Sequence, residues 1–194
     1  MLIDTYKKLA QEFLTFKSIS TDPNYKGEID KTVSWLEETF QSHKFTVNVV
    51  RGFDNPIVIA YYEANPEFQT CLVYGHYDVQ PAQMDEGWFA DPFSYHEQDG
   101  RIYARGAIDN KGQVLAHMTS IFELIDTGKL QYNIKFIVEG NEETGSPNIL
   151  KFLESHKDLL AAGFAMISDG ELTQNHPTIE LGLRGIINFT LTVR

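Results

Sequence analysis

Apolar positions recur every three to four residues over 3–16, where Ile3, Tyr6, Leu9, Ala10, Phe13 and Leu14 share one face. The same period returns over 28–41 with Ile29, Val33, Leu36 and Phe40. Two amphipathic helices are predicted there, with a turn-rich loop over 18–27 between them. The period then shortens to two, so 45–51 and 57–62 read as strands. Residues 70–75 form a short apolar run. Residues 81–94 are a loop rich in Gly, Pro and Asp that carries Trp88 and Phe89, and 101–104 is a short strand.

The clearest helix is predicted over 113–126, with Leu115, Met118, Phe122 and Ile125 in register and Gly128 ending it. A strand follows over 132–138. Ser146-Pro147 has the form of a helix N-cap with proline at the first helical position, and that helix is expected to run to about His156. Residues 164–168 read as a buried strand. Strands alternating with helices predict an α/β fold, a mixed and largely parallel sheet flanked by helices. One more strand is expected over 186–193. A strand cannot satisfy its ladder alone, so the chain reads as truncated just after a new element begins.

Composition narrows the picture only a little. The 194 residues are 42% hydrophobic and 22% charged, which is globular. The net charge of -11 repels phosphate backbones and argues against a nucleic-acid partner. No apolar stretch approaches the roughly 18–20 residues of a membrane helix. The N-terminal segment has no apolar core or small-residue cleavage site of the secretory kind. Cys71 is the only cysteine, so no disulfide can form within the chain, which fits a reducing, cytoplasmic setting.

Chemistry gathers just past the apolar runs. His76-Tyr77-Asp78, Glu142-Glu143 and Asp169-Gly170-Glu171 each follow a predicted strand, and Asp109 lies in the glycine-rich loop before the clearest helix. Functional groups of open α/β sheets collect beyond the carboxyl ends of strands, so one site can draw on all four places. Taken singly, each cluster is commonly just a solvated turn. Together they offer an imidazole and several carboxylates, a donor set for zinc, cobalt or manganese rather than calcium.

Charge counting favours two ions. Asp109, Glu143 and Asp169 with one hydroxide balance two divalent cations. Paired ions need a bridge, for which the lone Asp109 is well placed. Of the adjacent Glu142 and Glu143, one can bind metal while the other serves as general base. Asp78, two residues from His76, can fix the imidazole tautomer. No GxGxxG, Walker or GxSxG pattern is present.

Three motifs then carry a resemblance. They are Gly75-His76-Tyr77-Asp78-Val79-Gln80-Pro81, Arg105-Gly106-Ala107-Ile108-Asp109-Asn110-Lys111-Gly112, and Glu139-Gly140-Asn141-Glu142-Glu143-Thr144-Gly145-Ser146. In this order they resemble the dinuclear zinc family of aminoacylase, carboxypeptidase G, carnosinase, acetylornithine deacetylase, succinyl-diaminopimelate desuccinylase and peptidase T. Tyr77, Val79-Gln80-Pro81 and Trp88 with Asp91-Pro92-Phe93 look closest to its carnosinase-like dipeptidase branch.

The resemblance implies a zinc exopeptidase-like catalytic domain. His76 and Asp169 would hold one metal, Glu143 the other, and Asp109 would bridge them. Glu142 would be general base and then proton donor, Asp78 would orient His76, and Asp109-Asn110 would be a cis peptide. It implies peptide-bond hydrolysis in dipeptides or small peptides by a two-metal-bound hydroxide, with N-acyl amino-acid deacylation, or a non-catalytic metal-binding or assembly role, as alternatives. It also implies a further histidine ligand and an inserted, often dimerising domain. On that reading residues 1–183 are the N-terminal part of the catalytic domain, 184–194 begin the inserted domain, the full-length form is a homodimer, and the fragment alone has little activity.

Overall fold

The computed structural model describes residues 2–170, 176, 178–179, 185 and 189–193. In chain order the elements are α1 (Leu2–Phe13), α2 (Lys26–Ser42), β1 (Thr46–Val50), β2 (Ile57–Tyr62), β3 (Thr70–His76), β4 (His96–Gln98), β5 (Arg101–Tyr103), α3 (Lys111–Asp126), β6 (Asn133–Glu139), α4 (Ile149–Ser155), α5 (Lys157–Leu160) and β7 (Phe164–Ile167). Among the described residues five strands form one sheet in the order β1-β2-β6-β3-β7. Pairs β1–β2 and β2–β6 are antiparallel, whereas β6–β3 and β3–β7 are parallel. The sheet is therefore mixed, as expected, with its parallel half where the polar clusters lie. β4 and β5 form a separate two-stranded hairpin, and β4 had no signal in the sequence pattern.

Burial of both sheet faces explains the continuous apolar run of β2. Val58, Ala60, Val73, Phe136 and Val138 pack against Phe13, Val33, Leu36 and Phe40 of α1 and α2 and against Leu115, Met118 and Phe122 of α3. On the other face Ile57, Ile59 and Ile137 meet Phe152 of α4 and Leu160 of α5. Helices thus cover the sheet on both sides.

Two expectations need correction. Ser146 does not cap a helix. It sits at φ 46°, its hydroxyl donates to Glu139 Oε1 (2.9 Å), and α4 starts three residues later after Asn148. The buried carboxylate of Glu139 captures the side chain a cap would have used. The segment 164–168 is a strand over Phe164–Ile167, but an exposed one, with Ile167 at 62%. Among the described residues it is the sheet edge, and α4 and α5 cover β2 and β6 instead. The strand expected over 186–193 lies in part outside the described residues, and residues 189–193 form none. The domain boundary expected at 183/184 also falls among residues that are largely undescribed.

Lys111, only 1% exposed, fastens α3 to the end of α1. Its Nζ donates to the carbonyls of Phe13 (3.2 Å) and Phe16 (2.7 Å) and lies 5.1 Å from the Phe13 ring centroid. A cation suits carbonyls left open at a helix C-terminus. Burial nonetheless pushes its ammonium down to about 7, against the pull of Asp78 and Glu28. Between about 7 and 10.5 the unfolded chain then holds a proton that the native chain lacks, so this group makes stability rise with pH across that window. Denaturation midpoints measured from pH 7 to 9 should climb more steeply for the native sequence than for Lys111→Met; equal slopes would contradict the assignment.

Candidate metal centre

The parallel half of the sheet ends its strands side by side, with His76 opposite Glu139 in register. His76 is the last residue of β3 and is fully buried. Its Nδ1 lies 3.0 Å from the backbone carbonyl of Asp78. A carbonyl only accepts, so the ring proton is on Nδ1. The other nitrogen, Nε2, then points a lone pair at Asp109 Oδ1 (3.0 Å), Asp169 Oδ1 (3.6 Å) and Glu142 Oε2 (3.8 Å). An acceptor facing three acidic oxygens is repulsive unless a cation sits among them. The field is strong enough to drive a second proton onto the ring. Burial opposes that, but hydrogen bonds to Asp109, Asp169 and Asp78 outweigh it and push the pKa up to about 12.

The carboxylates feel the same crowding. The hydrogen bond to His76 holds Asp109 below its usual range despite partial burial. Burial raises Glu142, reinforced by Asp169, Glu143 and Asp78 and opposed by His76. Burial also raises Glu143, opposed by a hydrogen bond from Gln80 and reinforced by Asp109. Ligand atoms of His76, Asp109 and Asp169 lie within 4.8 Å of one another, so these three can share one ion. The fit is chemical as well as geometric, because an imidazole with two carboxylates is a set zinc takes readily.

Glu143 stands beside this trio rather than in it. Gln80 Nε2 donates to its carboxylate (2.9 Å) and its carbonyl (3.3 Å). The short 3-10 turn carrying Glu142 and Glu143 is held by Asp78, whose two carboxylate oxygens accept from the N–H groups of Glu142 (3.2 Å) and Glu143 (3.1 Å). Asp78 thus turns its carbonyl to the imidazole and its carboxylate mainly to the glutamate turn. Sequence reasoning assigned only the first of these directions, and to the carboxylate, which is 3.3 Å from Nδ1.

The Asp109-Asn110 peptide is cis, the geometry the motif led one to expect. Asn110 is fully buried, and α3 begins just after it. Several polar partners escaped the sequence. Gln80 lay within a quoted motif but had no assigned role. His117 lies 2.8 Å from the Ser168 hydroxyl. Gln113 donates to the carbonyl of Gly170 (2.9 Å). His117 and Gln113 share one face of α3, four residues apart, and that spacing was the available signal.

A family model described as Peptidase family M20/M25/M40 matches residues 72–190. Beta-Ala-His dipeptidase of Mus musculus is 42% identical over 144 residues, covering 72% of this chain and 29% of that protein. The crystal structure of human carnosine dipeptidase 1 is similar with a TM-score of 0.80 and 32% identity, over 86% of this chain and 38% of that one. An M20 family metallo-carboxypeptidase, Sso-CP2 of Sulfolobus solfataricus, gives a TM-score of 0.76 and 36% identity, over 86% and 37%. The chain spans well under half the length of each of these relatives, and the mixed sheet with helices on both faces is common ground with them. On the extent of these matches, the chain belongs to the peptidase family M20/M25/M40.

Proposed function

We propose that the protein of which these residues form part hydrolyses the peptide bond of dipeptides or small peptides with the help of two divalent ions, zinc by preference. The observation that carries this reading is His76 Nε2 facing three acidic oxygens at 3.0–3.8 Å, an arrangement that calls for positive charge among them. His76 and Asp169 would hold one ion, Glu143 the other, and Asp109 would bridge them. Bound ions supply Lewis acidity, which polarises a carbonyl and makes water acidic near neutrality. The dipeptidase names borne by the relatives support the substrate class.

The side chains do the rest. Glu142 is 40% exposed and within 3.8 Å of His76 Nε2, so it stands at the rim where a water can reach it. Its carboxylate takes a proton from the attacking water and returns it to the leaving amine. Asp78 holds the backbone of that turn, so the base keeps its place while it changes charge. Gln80 restrains Glu143 as its neighbour works. A homodimer in a reducing compartment completes the reading, in keeping with a single cysteine that is buried.

Residues 1–194 alone are expected to turn over dipeptides poorly. Among the described residues the second ion finds only Glu143 and the bridging Asp109, while catalytic zinc usually has three protein ligands. Asp109 is also 56% exposed, so water is not shut out. Vigorous dipeptide hydrolysis by this chain with added zinc would contradict that. In the full-length protein, Glu142→Gln should lower kcat by about 10²–10⁴ with metal content unchanged. Assays of dipeptides beside acetyl-amino acids, with metal analysis of each sample, check this. Undiminished kcat in the variant would remove Glu142 from its role.

A further inference from the structure

Asn110 occupies the point where three parts of the site meet. Its Oδ1 accepts from the backbone N–H of His76 (3.1 Å). That contact fixes which way the amide faces, because an N–H can only donate. Nδ2 is therefore turned the other way, where it donates to the Ser168 carbonyl (2.6 Å) and to Asp169 Oδ1 (3.1 Å). One side chain thus reaches the end of β3 and the segment after β7, and its own backbone follows Asp109. Those are the places that bear His76, Asp169 and Asp109.

The surroundings are built to admit it. A Cβ on Gly75 would lie 2.5 Å from Asn110 Oδ1 and 2.5 Å from Val114 Cγ2, so only glycine lets the amide come this close to β3. Gln113, one turn along α3, accepts from Asn110 Nδ2 through Oε1 and donates through Nε2 to the Gly170 carbonyl (2.9 Å). It holds the amide in its orientation while tying down the residue after Asp169. Asn110 is fully buried, which excludes water as a substitute partner.

We infer that Asn110, backed by Gln113, is a positioning residue that sets the spacing between the His76 ring and the Asp169 carboxylate and so fixes the affinity of the ion they share. This rests on the metal-centre reading above. The amide touches neither ion nor substrate. It acts by holding one ligand's backbone and the other ligand's oxygen, the outer-shell role that commonly accounts for 10–100-fold of metal affinity. The Asp169 oxygen it holds, Oδ1, is the one nearest His76 Nε2.

The test is a cobalt and zinc titration of the full chain, followed by calorimetry and the cobalt visible spectrum, with metal-free thermal denaturation run in parallel. Asn110→Leu should weaken cobalt binding by roughly 10–100-fold and alter the cobalt spectrum. Gln113→Leu, which leaves the Asn110 contact with His76 in place, should weaken it less and keep the metal-free Tm close to the native value. If Asn110→Leu does not fold, the Gln113→Leu affinity decides. Native affinity and spectrum in the folded variants, with only Tm lowered, would make Asn110 a plain structural residue and overturn the inference while the metal centre stands. His76→Ala separates the two ideas: cobalt binding by the native chain that survives this change refers to another site and overturns both. A native chain that binds no cobalt or zinc also overturns both.

Discussion

Everything in the site depends on one hydrogen bond, from His76 Nδ1 to the carbonyl of Asp78. It spends the only ring proton of the neutral imidazole on the inner side and leaves Nε2 as a buried acceptor among carboxylates. A histidine so placed with nothing between it and Asp109, Asp169 and Glu142 must bind either a second proton or a metal ion. The acidic surroundings raise its pKa despite burial, in keeping with a site that receives positive charge.

The fold supports that hydrogen bond from both sides. Parallel pairing of β6, β3 and β7 brings three strand ends to one edge. The residues after them then interlock: Asp78 reaches the glutamate turn after β6, while Asn110 links the end of β3 to the segment after β7. Gly75 gives α3 room to come close. Lys111 ties the start of that helix to α1, so the loop bearing Asp109 is anchored at both layers. The same core that buries Val73 and Phe136 therefore fixes the positions of charged groups at its end.

Much of this was legible in the chain, for identifiable reasons. β2 was found residue for residue, since its apolar run is bounded by breakers on both sides. His76, Asp109, Glu142 and Asp169 stood out only together, since each alone reads as a solvated turn but an imidazole with several carboxylates at strand ends and a helix start makes a metal donor set. What was hidden depended on contacts made across the fold. Ser146-Pro147 looked like a cap until a buried Glu139, seven residues back, took the serine hydroxyl. β7 looked buried because Phe164, Met166 and Ile167 are apolar, but sequence does not say which strand ends up at the edge. Asn110 gave no sign of its own, as its importance lies in three partners distant in sequence. The backbone carbonyl of Asp78 is invisible to any motif.

The central claim is that His76, Asp109, Glu143 and Asp169 surround a pair of metal ions. Anomalous diffraction from zinc-loaded crystals of the full-length protein tests it most directly. The account predicts two zinc peaks about 3.5–4 Å apart, one bonded to His76 Nε2 and Asp169, the other to Glu143, with Asp109 between them. Zinc peaks that avoid His76 Nε2, leaving it hydrogen-bonded to Asp109 as an imidazolium, would contradict it.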